Sequence, residues 1–326
     1  MKRTSTTILA LVLSAVAAVS AAAAPLTVLS YNLGLLRVVG SDFVPIVRDR
    51  AEAAPAALAR FARERSADVL VLQEIWTNRQ AVAITEALAP LGYAVVRPRG
   101  GTLIGKEGGL LVAVRAPLRV TEWSFTPFGK STFMDSLARK GILAAVLENP
   151  GNEARFALLA THTVALDTDQ GAPIDAKQVA AHAVQVGKIV EVLRRISADG
   201  TIPALIVGDF NVGPGYAEAN HRLFADLPGM REAGAVAAPG EPLVTWDPGN
   251  PLVAYGRYPN EPAAKIDHVF FRDGGSWRWS ASRVEVVFTG PADGLSMVPS
   301  KGAAPVPTPL SDHYGLFATL DLAAAR

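Results

Sequence analysis

The amino-acid sequence predicts a single α/β domain with mixed sheets, and three observations carry that prediction. Short apolar runs rich in Val, Leu, Ile and Phe recur between residues 26 and 322 and read as buried strands. Two longer stretches among them place apolar residues three or four apart and read as helices. Some neighbouring runs have no helix between them, so antiparallel pairs stand beside parallel βαβ units.

The chain begins MKRTSTTILALVLSAVAAVSAAAAP, a basic start, an apolar stretch and then small residues. That order is the pattern of an export signal over residues 1–24, cleaved near Ala22 to Ala24, and it predicts a secreted or periplasmic protein. The apolar stretch is Ala-rich and shorter than the roughly 20 residues a membrane-spanning helix needs. Residues 25–326 then form one domain. LTVLSYN (26–32) is the first strand, PAALARFARER (55–65) the first helix and ADVLVLQE (67–74) the second strand. Strands follow at GGLLVAV (108–114), GILAAVL (141–147) and FALLATHT (156–163). The helix AKQVAAHAVQVGKIVEVLRRI (176–196) carries Val179, Ala183, Val186, Val190 and Leu193 on one face. ALIVGDFN (204–211), IDHVFF (266–271) and YGLFATLDL (314–322) complete the strands. The Pro/Gly-rich stretches 235–251 and 290–309 are long loops, because strands of the same kind resume after each.

Composition excludes several chemistries. The absence of cysteine rules out disulfides, thiolate metal sites and a Cys nucleophile. No HExxH, G-x-S-x-G or Walker phosphate loop occurs, so zinc-protease, serine-hydrolase and nucleotide-triphosphatase readings lack their parts. A net charge of +1 provides no strong field for nucleic acid or an anionic membrane.

Polar residues crowd the strand ends. Runs finish, or nearly finish, at Asn32, Glu74, His162 and Asp209 with Asn211, while Asp267 and the pair Asp312–His313 open two others. In layered α/β folds ligands sit where strand ends and loops meet, so these groups can gather in one crevice. Asp209 and Asn211, two apart, share a side if the strand persists, and Phe210 turns into packing. Carboxylate and amide oxygens suit a hard divalent cation that assists hydrolysis, Mg2+ first, with Mn2+ or Co2+ as substitutes. His313 is the first choice of base for activating water, with Asp267 fixing its tautomer. His182, His221 and His268 have no evident partner by sequence and read as structural or exposed. Trp76 and Trp246 fit either a substrate wall or the core.

The ordered segments LSYNLG, LVLQEIW, THT, VGDFN, IDHVFF and LSDHYGL resemble the endonuclease/exonuclease/phosphatase superfamily across nearly the whole mature chain. The resemblance implies a four-layered α/β sandwich, two packed mixed β-sheets flanked by helices, that hydrolyses phosphoesters with a metal. GKEGGLLVAV (105–114), DSLARKGILAAVLE (135–148) and VTWDPGNPLVAYGRYPNEPAAKIDHVFF (244–271) further resemble bacterial secreted neutral sphingomyelinases. Those enzymes carry an aromatic-tipped hairpin before the last motif, whereas PADGLSMVPSKGAAPVPTP (291–309) has no aromatic residue.

The resemblance implies that Glu74, with Asn32 beside it, ligates the metal. It sets His162 against the scissile phosphate as donor or proton source, Asp312 near His162 or the metal, and Asp209 and Asn211 on the water and phosphoryl oxygens. Either Asp209 or His313 takes the proton. The expected reaction is in-line attack of water on a phospholipid headgroup ester, most simply sphingomyelin to ceramide and phosphocholine. A secreted DNase-like endonuclease and a non-catalytic binding module are the alternatives. The expected partners are a phospholipid or other phosphodiester and a transient membrane surface; nucleic acid is not expected, and the protein is expected to be a monomer.

Overall fold

A computed structural model describes residues 25–38, 40–99, 108–129, 138–166 and 174–325. The predicted signal segment, residues 105–107 of the GKEGG stretch and residues 135–137 of the DSLARK stretch lie outside the described residues.

The sheets grow outward from two parallel pairs. In the first, β1 (Leu26–Asn32) runs parallel to β2 (Val69–Ile75), with Asn32 level with Gln73. Antiparallel strands extend it to the order β11-β12-β1-β2-β4-β3, where β3 is Tyr93–Val96, β4 is Gly109–Arg115, β11 is Trp277–Val287 and β12 is Gly315–Ala324. The second sheet centres on β7 (Ala154–His162) and the parallel β8 (Ala204–Asp209), with His162 level with Asp209. Its order is β9-β10-β8-β7-β6-β5, where β5 is Arg119–Pro127, β6 is Gly141–Asn149, β9 is Met230–Glu232 and β10 is Asp267–Arg272.

Burial makes four layers. Val28, Val71, Val112, Leu158, Val207 and Val269 meet between the sheets in one apolar cluster. Their strand neighbours face outward: Leu29 and Leu70 pack under α1 (Val47–Glu64) and α2 (Asn78–Leu88), and Leu159 and Ile206 pack under α3 (Ala176–Ile196) and α4 (Glu218–Ala225). Strands buried on both faces read as unbroken apolar runs. The two-layer burial of these sheets therefore explains why the sequence showed them.

Some elements differ from expectation. α1 starts at Val47 rather than Pro55, because Val47, Arg50 and Ala54 continue the buried stripe of Leu58 and Phe61. A fully buried arginine in that stripe hides the pattern. The Asp209–Asn211 strand does not persist: β8 stops at Asp209, and Asn211 adopts a left-handed backbone at φ 51°. Phe210 is fully buried, as its position in the run suggests. No helix among the described residues is long and apolar enough to cross a membrane.

Candidate active site

The parallel pairs decide where the polar ends go. Asn32, Glu74, His162 and Asp209 close the C-terminal ends of β1, β2, β7 and β8, and Asp267 opens β10 opposite Asp209. Asp312 and His313 precede β12, which runs antiparallel to β1, so they arrive at the same end. All of these residues, with Asn211, line one cavity of about 340 Å³ except Asp267, which lies behind His313 and meets its Nδ1 at 3.0 Å.

Asp209 is the hub. Its Oδ2 accepts from Asn32 Nδ2 at 2.9 Å and lies 3.4 Å from His162 Nε2 and 3.8 Å from His313 Nε2. Its Oδ1 accepts the Asn211 N–H at 2.9 Å, and Asn211 Nδ2 donates to the Thr163 carbonyl at 3.1 Å. The left-handed turn at Asn211, not strand alternation, brings it back to the site. Asn32 Nδ2 also lies 3.4 Å from Glu74 Oε1, and Trp76 Nε1 donates to Glu74 Oε2 at 3.4 Å.

Glu74 owes its direction to an irregular backbone. The pairing of β2 with β4 shifts register between Leu72 and Ile75, and Glu74 sits in that interruption at φ 60°. A left-handed non-glycine residue stores strain that surrounding structure must hold, and such strain gathers at functional sites. Gly34, at φ 57°, allows the chain leaving β1 to pass Asp312, since a Cβ there would come within 2.4 Å of Asp312 Oδ1.

The electrostatics separate the two site histidines. Burial lowers the proton affinity of His313, but Asp267 and then Asp209 outweigh it and push the imidazole up to about 10. His162 goes the opposite way, held well below its ordinary value by burial, then Lys140, then His313. A neutral His162 suits a hydrogen-bond donor better than a proton source. Burial and then Asp267 push Asp209 up to about 6, and burial and then Asp312 raise Glu74.

Carboxylates crowded until their proton affinities rise are a donor set that fits a hard divalent cation. Asp209, Asp267 and His313 also bring donor atoms within 4.8 Å of one another. Asn32 fits less directly: its Oδ1 accepts the Gly34 N–H at 2.9 Å and its Nδ2 faces the acids. Here it ties carboxylates together, and ligation through oxygen requires the amide to turn over.

Several residues that hold the site were not singled out from sequence. Ser311 Oγ donates to the Asn32 carbonyl at 2.7 Å and lies 3.0 Å from Asp312 Oδ1. Thr245 Oγ1 accepts the N–H groups of Ile266 and Asp267, and Asn250 Nδ2 donates to the carbonyls of Ser311 and Asp312. The TWD…Asn250 segment thus positions Asp267 and the Asp312–His313 pair. Arg50, fully buried, donates to the carbonyls of Leu33, Gly34, Leu310 and Pro45, joining the loops that carry Asn32 and Asp312. Lys140 lines the cavity, and its Nζ donates to the Thr163 carbonyl at 2.9 Å. Thr245, Asn250, Ser311 and Lys140 fall within the family-like segments and Arg50 in none, but nothing in an isolated Ser, Thr or Arg marks such roles.

The sequence profile of the Endonuclease/Exonuclease/phosphatase family matches residues 29–313. The chain belongs to the endonuclease/exonuclease/phosphatase family. Solved structures of similar fold include sphingomyelinase C from Streptomyces griseocarneus, 23% identical, covering 90% of this chain and 99% of that one with a TM-score of 0.66. Another is D. rerio TDP2 complexed with single-strand DNA product, at 16% identity, 91% and 99% coverage and a TM-score of 0.64. A third is a mannosyl-6-phosphatase from Bacteroides thetaiotaomicron, at 18% identity, 91% and 99% coverage and a TM-score of 0.63. No curated protein matches the sequence. Family membership indicates a hydrolase acting on phosphoesters, and the three structures of similar fold differ in what they act on.

Trp76 and Trp246 both belong to the cavity walls. Trp76 packs its ring against Gly109 and is nearly fully buried, and Trp246 meets His313 edge-on at 5.1 Å. Beyond Trp246 the cavity is bounded by Phe43, Tyr258, Leu252 and Val253, with the Arg257 guanidinium 4.4 Å over the Phe43 ring.

Proposed function

We propose that this protein is an exported, metal-dependent phosphodiesterase that hydrolyses a phospholipid headgroup ester, with sphingomyelin giving ceramide and phosphocholine as the first substrate. The observation that carries the reading is the juxtaposition of the Asp209 hub with a wall of Trp246, Tyr258, Phe43 and Leu252. A substrate with one phosphodiester and an apolar or quaternary-ammonium neighbour matches such a wall. A polyanionic nucleic acid calls for a basic track, which a chain of net charge +1 does not suggest. The signal-like N-terminal segment and the likeness to secreted sphingomyelinases support action outside the cytoplasm.

The chain's own groups divide the work. Asp209 takes the proton of the attacking water as the new P–O bond forms; the P–O bond to the leaving alkoxide breaks in line, and the alkoxide takes up a proton from solvent. His313, held by Asp267 through Nδ1, turns Nε2 toward the same space and carries positive charge against the phosphoryl oxygens. His162 and Asn211 donate hydrogen bonds, and Lys140 adds a cation at the wall. A magnesium ion, held chiefly by Glu74, would neutralise charge growing on the non-bridging oxygens.

Purified protein should release phosphocholine from detergent-dispersed sphingomyelin in magnesium faster than it cleaves phosphatidylcholine or nicks plasmid DNA. Plasmid nicking with no release of phosphocholine would replace the lipid reading by the nuclease one. No turnover on any phosphoester would favour a binding module.

A further inference from the structure

A second group of ligand-type side chains lies outside the cavity. His221 on α4, Glu232 at the end of β9 and His268 on β10 each bring one donor atom within 4.8 Å of the others. Adjacent strand residues point to opposite faces. Asp267 therefore turns to the active site while His268 turns to the outer, helix-covered face, where its ring meets Phe210, Phe270 and His221.

The hydrogen bonds fix which nitrogen is presented. His268 Nε2 lies 2.8 Å from the Val212 carbonyl, which can only accept, so Nε2 carries a hydrogen. The other nitrogen, Nδ1, then faces Glu232 Oε1 at 3.0 Å. A lone pair and a carboxylate oxygen repel at that distance unless something positive lies between them. An imidazole anchored to a carbonyl through one nitrogen is the arrangement that orients a metal-ligating histidine.

A ring proton on Nδ1 would satisfy that pair but leaves His221 unexplained. The His221 side chain is buried, at 7% exposure, with Nε2 enclosed and making no hydrogen bond, and its ring centre lies 5.1 Å from that of His268. Lys265 is the resident rival: its ammonium contacts Glu232 Oε1, the same oxygen that faces His268.

We propose that His221, Glu232 and His268 form a divalent-cation site of the zinc kind, two imidazoles and a carboxylate with one position left to water. The ion competes with Lys265 for Glu232 and fastens α4 and β9 to β10, the strand that opens with Asp267. This site is independent of the reaction assigned to the cavity.

The test is a zinc titration of the full chain, stripped of metal and carrying Glu74→Gln, in excess magnesium, which competes poorly for imidazole. Bound zinc is counted per chain and the Tm is followed. One zinc ion should bind and raise the Tm by about 5 °C at about 100 times Kd. Adding His221→Ala should weaken zinc binding by about 100-fold, and Lys265→Met, which removes the rival cation, should tighten it by about 10-fold. Zinc that leaves the Tm unmoved, or binding that survives His221→Ala within a few-fold, overturns the proposal. If His221→Ala does not fold, Lys265→Met decides alone: zinc affinity that stays the same or falls overturns it.

Discussion

At the scale of the residue, function and stability pull Glu74 in opposite directions. Its backbone is left-handed at φ 60°, and partial burial, then the charge of Asp312, resist the ionisation of its carboxylate. Glycine adopts that backbone without strain, and its introduction removes the repulsion. Glu74→Gly should therefore abolish phosphoester turnover while raising the Tm of the metal-free protein, through roughly 1 kcal/mol of relieved strain. Calorimetry paired with an activity assay reads both, and a lower Tm would show that Glu74 supports the fold instead. The residue type and strand-end position of Glu74 were legible in LVLQEIW, but its direction was not, because that depends on the break in pairing with β4.

Elements carry the site through bonds that cross between them. Arg50 of α1 ties four carbonyls on three segments, so a shorter fork of donors cannot replace it. Arg50→Lys should lower stability by about 3 kcal/mol and reduce kcat, as buried carbonyls lose partners and the loops bearing Asn32 and Asp312 drift. Urea unfolding with steady-state kinetics checks both effects. His182 of α3 plays a comparable part on the other face: its Nε2 donates to the Phe210 carbonyl at 3.0 Å while Nδ1 accepts from Asn220 at 3.1 Å. Burial, against the Phe210 carbonyl, pushes it from 6.5 down to about 4. Between those values the unfolded chain binds a proton that the folded chain refuses, so stability falls as the pH drops from about 6.5 to about 4. The share of His182 is roughly 3 kcal/mol and should vanish from the pH profile of His182→Gln. An unchanged profile in that variant would mean the burial of His182 is not what resists protonation.

The same scale explains which strands the sequence revealed. The eight apolar runs became the eight inner strands of the two sheets, while β3, β5, β9 and β11, the four edges, went unrecognised. Inner strands pack on both faces and need continuous apolar residues. An edge such as β5, RVTEWSFTP, is largely exposed and carries no such run. Helix α2 was missed for a related reason: only Ala81, Ile84 and Leu88 of its residues are buried, a narrow stripe under a polar surface.

For the whole molecule, the decisive property is that two sheets, each centred on a parallel pair, present their strand ends at one edge. Residues from Asn32 to His313 meet there because β1, β2, β7 and β8 all finish on that side. The sequence disclosed the polar ends and, because strand ends and loops meet in layered α/β folds, their convergence. It did not disclose the ties from Thr245, Asn250 and Ser311, which depend on three-dimensional neighbours rather than on pattern. Sandwich, cavity and hub together amount to one assertion, that Asp209 and its neighbours cleave a phosphodiester with a divalent cation on Glu74. The most direct measurement is hydrolysis of a simple phosphodiester, bis(p-nitrophenyl) phosphate, by metal-stripped wild type and Glu74→Gln across a magnesium titration. Magnesium should restore saturable turnover to the wild type and leave the variant at least about 100-fold slower. Turnover that ignores magnesium, or an equal rate in Glu74→Gln, would contradict the account.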